Sequence, residues 1–512
     1  MSRPLAALLV MVPLLGVAQD PRYAQAVSAQ KIQRFEDAAP LFHALSEESD
    51  DPRIRGESEE ALARAYRQLQ LPVSSLITYA GILKAGPSHP GYLRAVEGLV
   101  ALQEQLDEQN LVPTLITQAF TDEARQTWLG LPAEVLARVY YLVATIRHRQ
   151  GRFEDARALL ANMPARSRMT AKSQYLLGVV LADPRFPGRP DEAERLDGEA
   201  MDAFQSVVRL RNAETQLDYA PTRALALLGI GRIHYGRGAW AESSAAYEQV
   251  PRYQRFWDEA LFENGFARFR NEDFGGALGS LQSLHAPQFA GAFQPESWIL
   301  KATIYYYTCL YDEVRTTLGA FDAAYQPVAR QLAPFAAPDV DPLAAFDAIS
   351  LENNRRVPRQ VALWIRNNER IQGVLSMIAQ IDREKQALGG NPAWRGKSFA
   401  TESIRALEEN RATLLQVGGT LAKARFQEAA QNVRTFSDQA EIIRVQTALD
   451  EKDLYMSGID QRRVLGTQSL YRPPMPGSDW TYWKFVGEFW IDELGYYQYT
   501  LKRGCLAKPG EE

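Results

Sequence analysis

Two cysteines, Cys309 and Cys505, stand in 512 residues. A chain of this length cannot draw its stability from two thiols, and two thiols do not make a metal-ligand set. They lie far apart, which leaves open whether they pair. Cys309, on an expected helix between aromatic residues, also suits a buried small apolar position. Histidine is equally scarce: His43, His89, His148, His234 and His285, with none in a His-Glu-x-x-His spacing. These read as surface or packing residues rather than ligands. No Gly-x-Ser-x-Gly elbow, no phosphate-binding glycine loop with lysine and no Cys–His couple occurs. No catalytic, cofactor-binding or metal-ligating residue is therefore assigned, and no cofactor is expected. A field of one charge is missing too. The 57 Lys and Arg against 62 Asp and Glu leave a net −5, which argues against a nucleic-acid partner.

Long apolar runs are also absent beyond the N-terminus, so no transmembrane span is expected in the mature chain. Leu5 to Leu15, interrupted by Pro13, follows Arg3 and precedes the small residues Gly16-Val17-Ala18. This order predicts a signal peptide over 1–18, cleaved after Ala18; an uncleaved anchor is the alternative. Gln19 rather than Cys follows, so lipid attachment there is not expected. The mature protein is expected to be exported, and periplasmic in a Gram-negative source.

What the chain does have is a repeated unit. Trp240, Phe274 and Tyr311 are each followed by a small or β-branched residue three positions on (Ser243, Ala277, Val314) and a large one four further (Tyr247, Leu281, Leu318). Trp240 to Phe274 is 34 positions and Phe274 to Tyr311 is 37, a period shown by helix-turn-helix solenoids. Phe153-x-x-Ala156 after Gly151, and Phe35-x-x-Ala38, have the same shape. The spacing is a packing requirement: two antiparallel helices need a small residue where their backbones approach and large residues on flanking turns. Pro164 and Pro251 close units. Pro184, Pro187, Gly188 and Pro190 stretch the pattern, and 186–195 is expected to be a loop before the helix carrying Ala200 and Phe204. Residues 70–130 match loosely. A non-repeating helical bundle is the alternative.

These residues resemble the tetratricopeptide repeat consensus over about 19–330. The resemblance implies a solenoid whose concave groove binds proteins and performs no chemistry. By the same resemblance the chain is similar to exported tetratricopeptide proteins of bacterial envelope machinery, most of all the large ones of gliding bacteria, with envelope proteins as partners.

Ala333 to Pro342 holds three prolines and marks a linker over 331–358. Beyond it, Val361, Trp364, Asn368, Ile371, Leu375 and Ile378 step by 3 and 4, a heptad seam with one amide in it. A second helix carries Ile404, Leu407, Leu414 and Leu421, then Phe426, Ala429, Val433, Phe436, Ala440 and Ile443. The phase slips after Leu421, next to Gly418-Gly419. Residues 359–456 are expected to form a long antiparallel helical hairpin, kinked at those glycines; the spacing leaves open whether the seam is filled within the hairpin or by another chain. The last segment, 457–512, crowds aromatic residues between 480 and 499. Val486, Trp490, Leu494 and Tyr497 fit one face of a short helix that docks on the rest of the chain. Trp480, Trp483, Phe489 and Trp490 are the candidate partner-binding residues. Glu488 and Asp492 would share a helical face there, a spacing common on any solvated helix.

The fold class expected is all-α: a tetratricopeptide-like solenoid, a long helical hairpin and an aromatic-rich C-terminal helix. The function expected is a non-enzymatic periplasmic scaffold. A peptidoglycan-associated enzyme or glycan-binding protein, and a self-associating rod, are the alternatives.

Overall fold

The computed structural model describes residues 20–164, 167–351, 354–456, 488–499 and 501. The expected signal peptide, Trp480, Trp483 and Cys505 lie outside the described residues. Within them every regular element is a helix. α1 (Pro21–Lys31) and α2 (Phe35–Glu48) form a packed hairpin, as do α3 (Pro52–Gln68) and α4 (Pro72–Ala85). α5 (Tyr92–Leu106), α6 (Leu111–Ala119) and a short α7 (Asp122–Trp128) follow. The hairpins resume with α8 (Ala133–Arg149) and α9 (Phe153–Ala161), α10 (Thr170–Ala182) and α11 (Arg189–Val208), α12 (Tyr219–Gly236) and α13 (Trp240–Tyr247), α14 (Trp257–Arg270) and α15 (Phe274–Leu284), and α16 (Pro295–Tyr307) and α17 (Tyr311–Ala336). α18 (Pro342–Ser350), α19 (Arg359–Arg366), α20 (Glu369–Gly390) and α21 (Ser398–Met456) complete the order. The fold is the all-α helical repeat with long C-terminal helices that the sequence implies.

The repeat is written in the backbone as well as the side chains. Gln33, Gln70, Gly151, Gly238, Glu272 and Cys309 all have left-handed φ, between 57° and 75°. Each stands two residues before the first residue of a second helix: Phe35, Pro72, Phe153, Trp240, Phe274 and Tyr311. In every case the next amide reaches back five residues to a carbonyl, from Arg34 to Ala29 through Leu310 to Tyr305, at 2.8–3.0 Å. This bond closes the end of the first helix, whose last carbonyls have no partner within it.

Three residues into each second helix, Ala38, Ser75, Ala156, Ser243, Ala277 and Val314 are fully buried. Four further on, Phe42, Tyr79, Leu160, Tyr247, Leu281 and Leu318 are all at most 3% exposed. The Ser75 and Ser243 hydroxyls donate to the carbonyls of Ala63 and Gly231, each twelve residues earlier, at 2.7 and 2.8 Å. So α3–α4 is a full repeat unit. The aromatic pattern misses it because Pro72, preorganised for a first helical position, replaces the ring.

The chain divides into two compact units: one holds the residues up to Leu102 with Ala379–Asn410, the other Gln103–Ile378 with the chain from Arg411. In the first, Phe399 stacks on Tyr66 (5.6 Å) and meets the edges of His43 and Trp394. Trp394 Nε1 donates to the Glu36 carbonyl at 3.0 Å. The buried Glu384 carboxylate accepts from the Val73 and Ser74 amides (2.6 and 2.9 Å) and from Ser74 Oγ (2.7 Å), capping α4. Lys385 pairs with Glu408 at 2.8 Å, α20 against α21.

In the second unit α21 lies along α17. Phe426 stacks on Phe335 (5.0 Å), Arg444 pairs with Asp322, Glu451 with Arg315 (2.7 Å), and Tyr306 donates to Asp450 (2.6 Å). The seam of α21 is thus filled from within the chain: Phe426, Ala429, Val433, Ala440 and Ile443 are buried.

Several expectations are corrected. Asn368 is not a seam residue; its Oδ1 accepts from the Arg370 and Ile371 amides (3.2 and 3.4 Å), so it caps α20 and separates it from α19. The buried stripe of α20 is Ile371, Val374, Met377 and Ile381, shifted from the Leu375–Ile378 register. The 331–358 stretch is not a plain linker, because α17 runs through Pro327 and Pro334 and α18 forms within it. Gly418-Gly419 does not break α21, which is one helix of 59 residues. The pair instead makes room for α18: a Cβ at 418 would stand 2.5 Å from the Phe346 ring. α11 begins at Arg189, leaving a shorter loop than 186–195. Asp341 caps α18 by accepting from the Leu343 amide (3.2 Å).

Candidate partner-binding groove and docked segment

The first helices of three successive hairpins, α8, α10 and α12, turn one stripe toward a groove in the second unit. On α8 the stripe carries Arg138 and Tyr141; on α10, Lys172, Tyr175 and Val179; on α12, Thr222, Leu225, Gly229 and Arg232. The steps of three and four are those of one helical face. Two cavities, about 470 and 380 Å³, share Tyr175 and Leu225 and so form a continuous depression.

Four of its cations are paired. Arg138 meets Glu104 (2.5 Å), Lys172 meets Asp218 (2.5 Å), Arg255 meets Glu369 (3.1 Å) and Arg232 meets Glu263 (2.5 Å) and Glu259. Burial pushes the Tyr141 and Tyr175 hydroxyls up to about 12, so both remain neutral hydrogen-bond donors. Burial, reinforced by the neighbouring Arg370, holds Arg149 below its ordinary value. A depression with aromatic walls and a rim of ion pairs suits a polypeptide: rings supply contact area, and the rim sets register by charge. Among the described residues no group of three His, Cys, Asp or Glu is placed to hold a metal ion. No helix among them is long and apolar enough to cross a membrane.

The aromatic segment 488–499 is not helical. Residues 491–496 form turns and 497–499 have no regular secondary structure, so the expected helical face of Trp490, Leu494 and Tyr497 does not exist, nor does the shared face of Glu488 and Asp492. The segment does dock. Leu494 and Tyr497 are buried with Trp257, Leu261, Leu284 and Ala286, and Phe489 packs against the same cluster. Gly495 holds a φ of 90°, open to glycine alone at little cost. Tyr253 donates to the Ile491 carbonyl at 2.5 Å, and the Arg252 guanidinium lies 3.2 Å over the Tyr496 ring.

Of the candidate binding residues, Phe489 is part of this docking and Trp490 is 53% exposed. Trp490, Ile491 and Tyr496 form the outward side of the segment. None of the groove residues is marked out by a sequence motif. The signal available for them was the Arg138/Tyr141 and Lys172/Tyr175 stripe of polar and aromatic residues opposite the buried face of each first helix.

Cys309 is disulfide-bonded rather than a free buried thiol. The histidines are dispersed: His43 faces Glu402, His89 faces Glu59, His148 faces Asp183 and His285 stacks on Trp298.

No protein-family model matches the sequence, and no curated protein matches it. Among solved structures the chain is similar to yeast Tom70, at 12% identity over 87% of this chain and 96% of that one, with a TM-score of 0.19. A superposition that poor carries no conclusion about function.

Proposed function

We propose that this protein is a non-enzymatic exported scaffold that binds a polypeptide partner through the groove lined by α8, α10 and α12. The observation that carries the reading is the pairing of Arg138, Lys172, Arg255 and Arg232 with acidic neighbours around two half-buried tyrosines. That arrangement offers contact and register, and no activated nucleophile. The apolar stretch ahead of Gly16-Val17-Ala18 supports export, and the likeness of the repeat to envelope tetratricopeptide proteins supports a place in a cell-envelope assembly.

The test is capture of partners from envelope extract by wild-type protein and by a Lys172→Glu/Tyr175→Ala variant. The reading expects a partner retained by the wild type and lost from the variant at unchanged melting temperature. Equal capture by both would sink it. Fractionation of cells expressing the full chain tests location: a shortened protein beginning near Gln19 in the periplasm is expected, and a full-length cytoplasmic protein would contradict export.

One observation favours the rod reading as a second function. Ile442, Val445 and Leu449 are exposed on α21 at steps of three and four, the spacing of a helix-pairing stripe. Sedimentation of wild type against Val445→Glu decides it: a dimer lost in the variant supports pairing, and monomers throughout remove it.

A further inference from the structure

A cavity apart from the groove is built around two unanswered hydrogen-bond acceptors. It lies in the second unit, measures about 220 Å³ and shares no lining residue with the groove. The link from α15 to α16 accounts for the space: Ala286, Ala290 and Ala292 are too small to fill it. Phe289, Tyr325 and, from the docked segment, Phe489 supply apolar walls, while His285 and Gln294 bring polar groups to it. None of the described residues that line it is Asp, Glu, Lys or Arg.

The hydrogen bonds around His285 fix what its ring offers. The Ser297 hydroxyl gives its proton to the Gln294 carbonyl (2.7 Å), so His285 Nε2 is the donor in its 2.9 Å contact with Ser297. Trp298 stacks on the ring at 4.2 Å and 13° and holds its plane. Burial, with Lys301 adding to it, pulls the pKa down to about 3, so at neutral pH Nδ1 keeps its lone pair. Nδ1 and Gln294 Oε1 are both buried and have no hydrogen-bond partner among the described residues. Burying an acceptor without a donor costs stability, and native chains seldom do it without a use. The walls then select by charge and size. A charged ligand would meet no counter-charge on them. A cavity of about 150 Å³ holds benzene, and this one, at about 220 Å³, has room for one or two fused rings.

We propose that this cavity binds a small, neutral, planar molecule of one or two fused rings that carries an N–H or O–H donor. The donor goes to His285 Nδ1, the Gln294 carboxamide accepts a second polar hydrogen where the ligand has one, and the rings pack among Phe289, Tyr325 and Phe489. Phe489 belongs to the docked segment, so ligand and segment stabilise one another. The site is separate from the polypeptide groove and does not depend on it.

The experiment titrates the full chain calorimetrically with indole, which has an N–H donor, and with benzofuran, which has the same shape and an oxygen in its place. Indole should bind with a Kd of about 1 mM or tighter. Benzofuran should bind about tenfold more weakly or worse, because Nδ1 is then buried against another acceptor. Benzoate and benzylammonium should not bind. Ala324→Phe, at an exposed position of α17 on the rim, should abolish indole binding at unchanged melting temperature. His285→Phe keeps a flat ring beside Trp298 and should bind indole and benzofuran alike; if it does not fold, the wild-type preference and Ala324→Phe still decide. Hydrogen exchange at residues 489–499 should slow at saturating indole in the wild type and not in Ala324→Phe. Absence of indole binding, equal affinity for benzofuran in the wild type, a preference that survives His285→Phe, or binding and exchange indifferent to Ala324→Phe would each overturn the proposal.

Discussion

At the scale of single residues, the left-handed turn is the most repeated decision in the molecule, and it is made by unlike amino acids. Gly151 and Gly238 occupy it at little steric cost, but Gln33, Gln70, Glu272 and Cys309 adopt the same φ. A left-handed L-residue is disfavoured by about 1–2 kcal/mol, partly offset by the larger unfolded-state entropy of glycine. Gln70→Gly and Glu272→Gly should therefore each stabilise the protein by up to about 1 kcal/mol, and Gly151→Ala should destabilise it by a similar amount, read from denaturant midpoints. This is also where the sequence is least legible. The aromatic and small positions announce themselves, because only certain volumes fit between two helices. The turn position does not, because packing elsewhere overrides its local preference.

His285 makes a pH prediction. The Ser297 hydroxyl donates to the Gln294 carbonyl (2.7 Å), so it accepts from His285 Nε2 at 2.9 Å. Burial, with nearby Lys301 adding to it, pulls its pKa down to about 3. The unfolded chain takes up this proton near pH 6.5 while the folded one resists, so stability is lost as pH falls through that window. The slope is at most about 1.4 kcal/mol per pH unit. Denaturation at pH 7, 5.5 and 4.5 should show that slope in the wild type and a shallower one in His285→Phe.

At the scale of elements, the glycines of the long helices have opposite meanings. Gly418 faces Phe346 and Val374 at contact distance, whereas Gly319, in α17, has nothing within 4 Å of a Cβ. Gly418→Leu should destabilise by roughly 1–3 kcal/mol through overpacking. Gly319→Ala should stabilise by up to about 1 kcal/mol through helix propensity. Thermal melts that rank the two in the other order would contradict the packing described. Helix content was legible here, and partners were not. The steps of three and four from Val361 to Ile378 gave a seam, but a cap at Asn368 looks the same as a polar seam position until the Arg370 and Ile371 amides are seen pointing at it. Nor does periodicity tell that α21 packs on α17, since that contact joins residues from 91 positions apart (Phe335 and Phe426) to 136 (Arg315 and Glu451). The aromatic segment misled for a related reason: Trp490, Leu494 and Tyr497 match a helical period, yet the left-handed Gly495 lies in a run of turns and the segment packs on α15 without forming a helix.

At the scale of the whole molecule, the repeat is a device for building a face. Each hairpin buries a small contact residue (Ala156 in α8–α9, Gly178 under Phe204 in α10–α11, Ser243 in α12–α13) and leaves the first helix free to present residues on the other side, which is why Tyr141, Tyr175 and Leu225 come together from three helices. None of them is marked by a motif, and the groove exists only once the stacking of the hairpins is known. The candidates drawn from composition alone, Phe489 and Trp490, lie instead on a segment that the chain uses to cover its own α15.

The central claim is that the α8–α12 groove engages another polypeptide. A photo-crosslinking amino acid placed at Tyr175 or Tyr141 in cells producing the full chain tests it most directly, with Asp202, an exposed residue of α11, as the control. Discrete adducts with a second polypeptide at 175 and 141, and none at 202, are the expected result. No adduct at any position, or the same adducts at all three, would contradict the account.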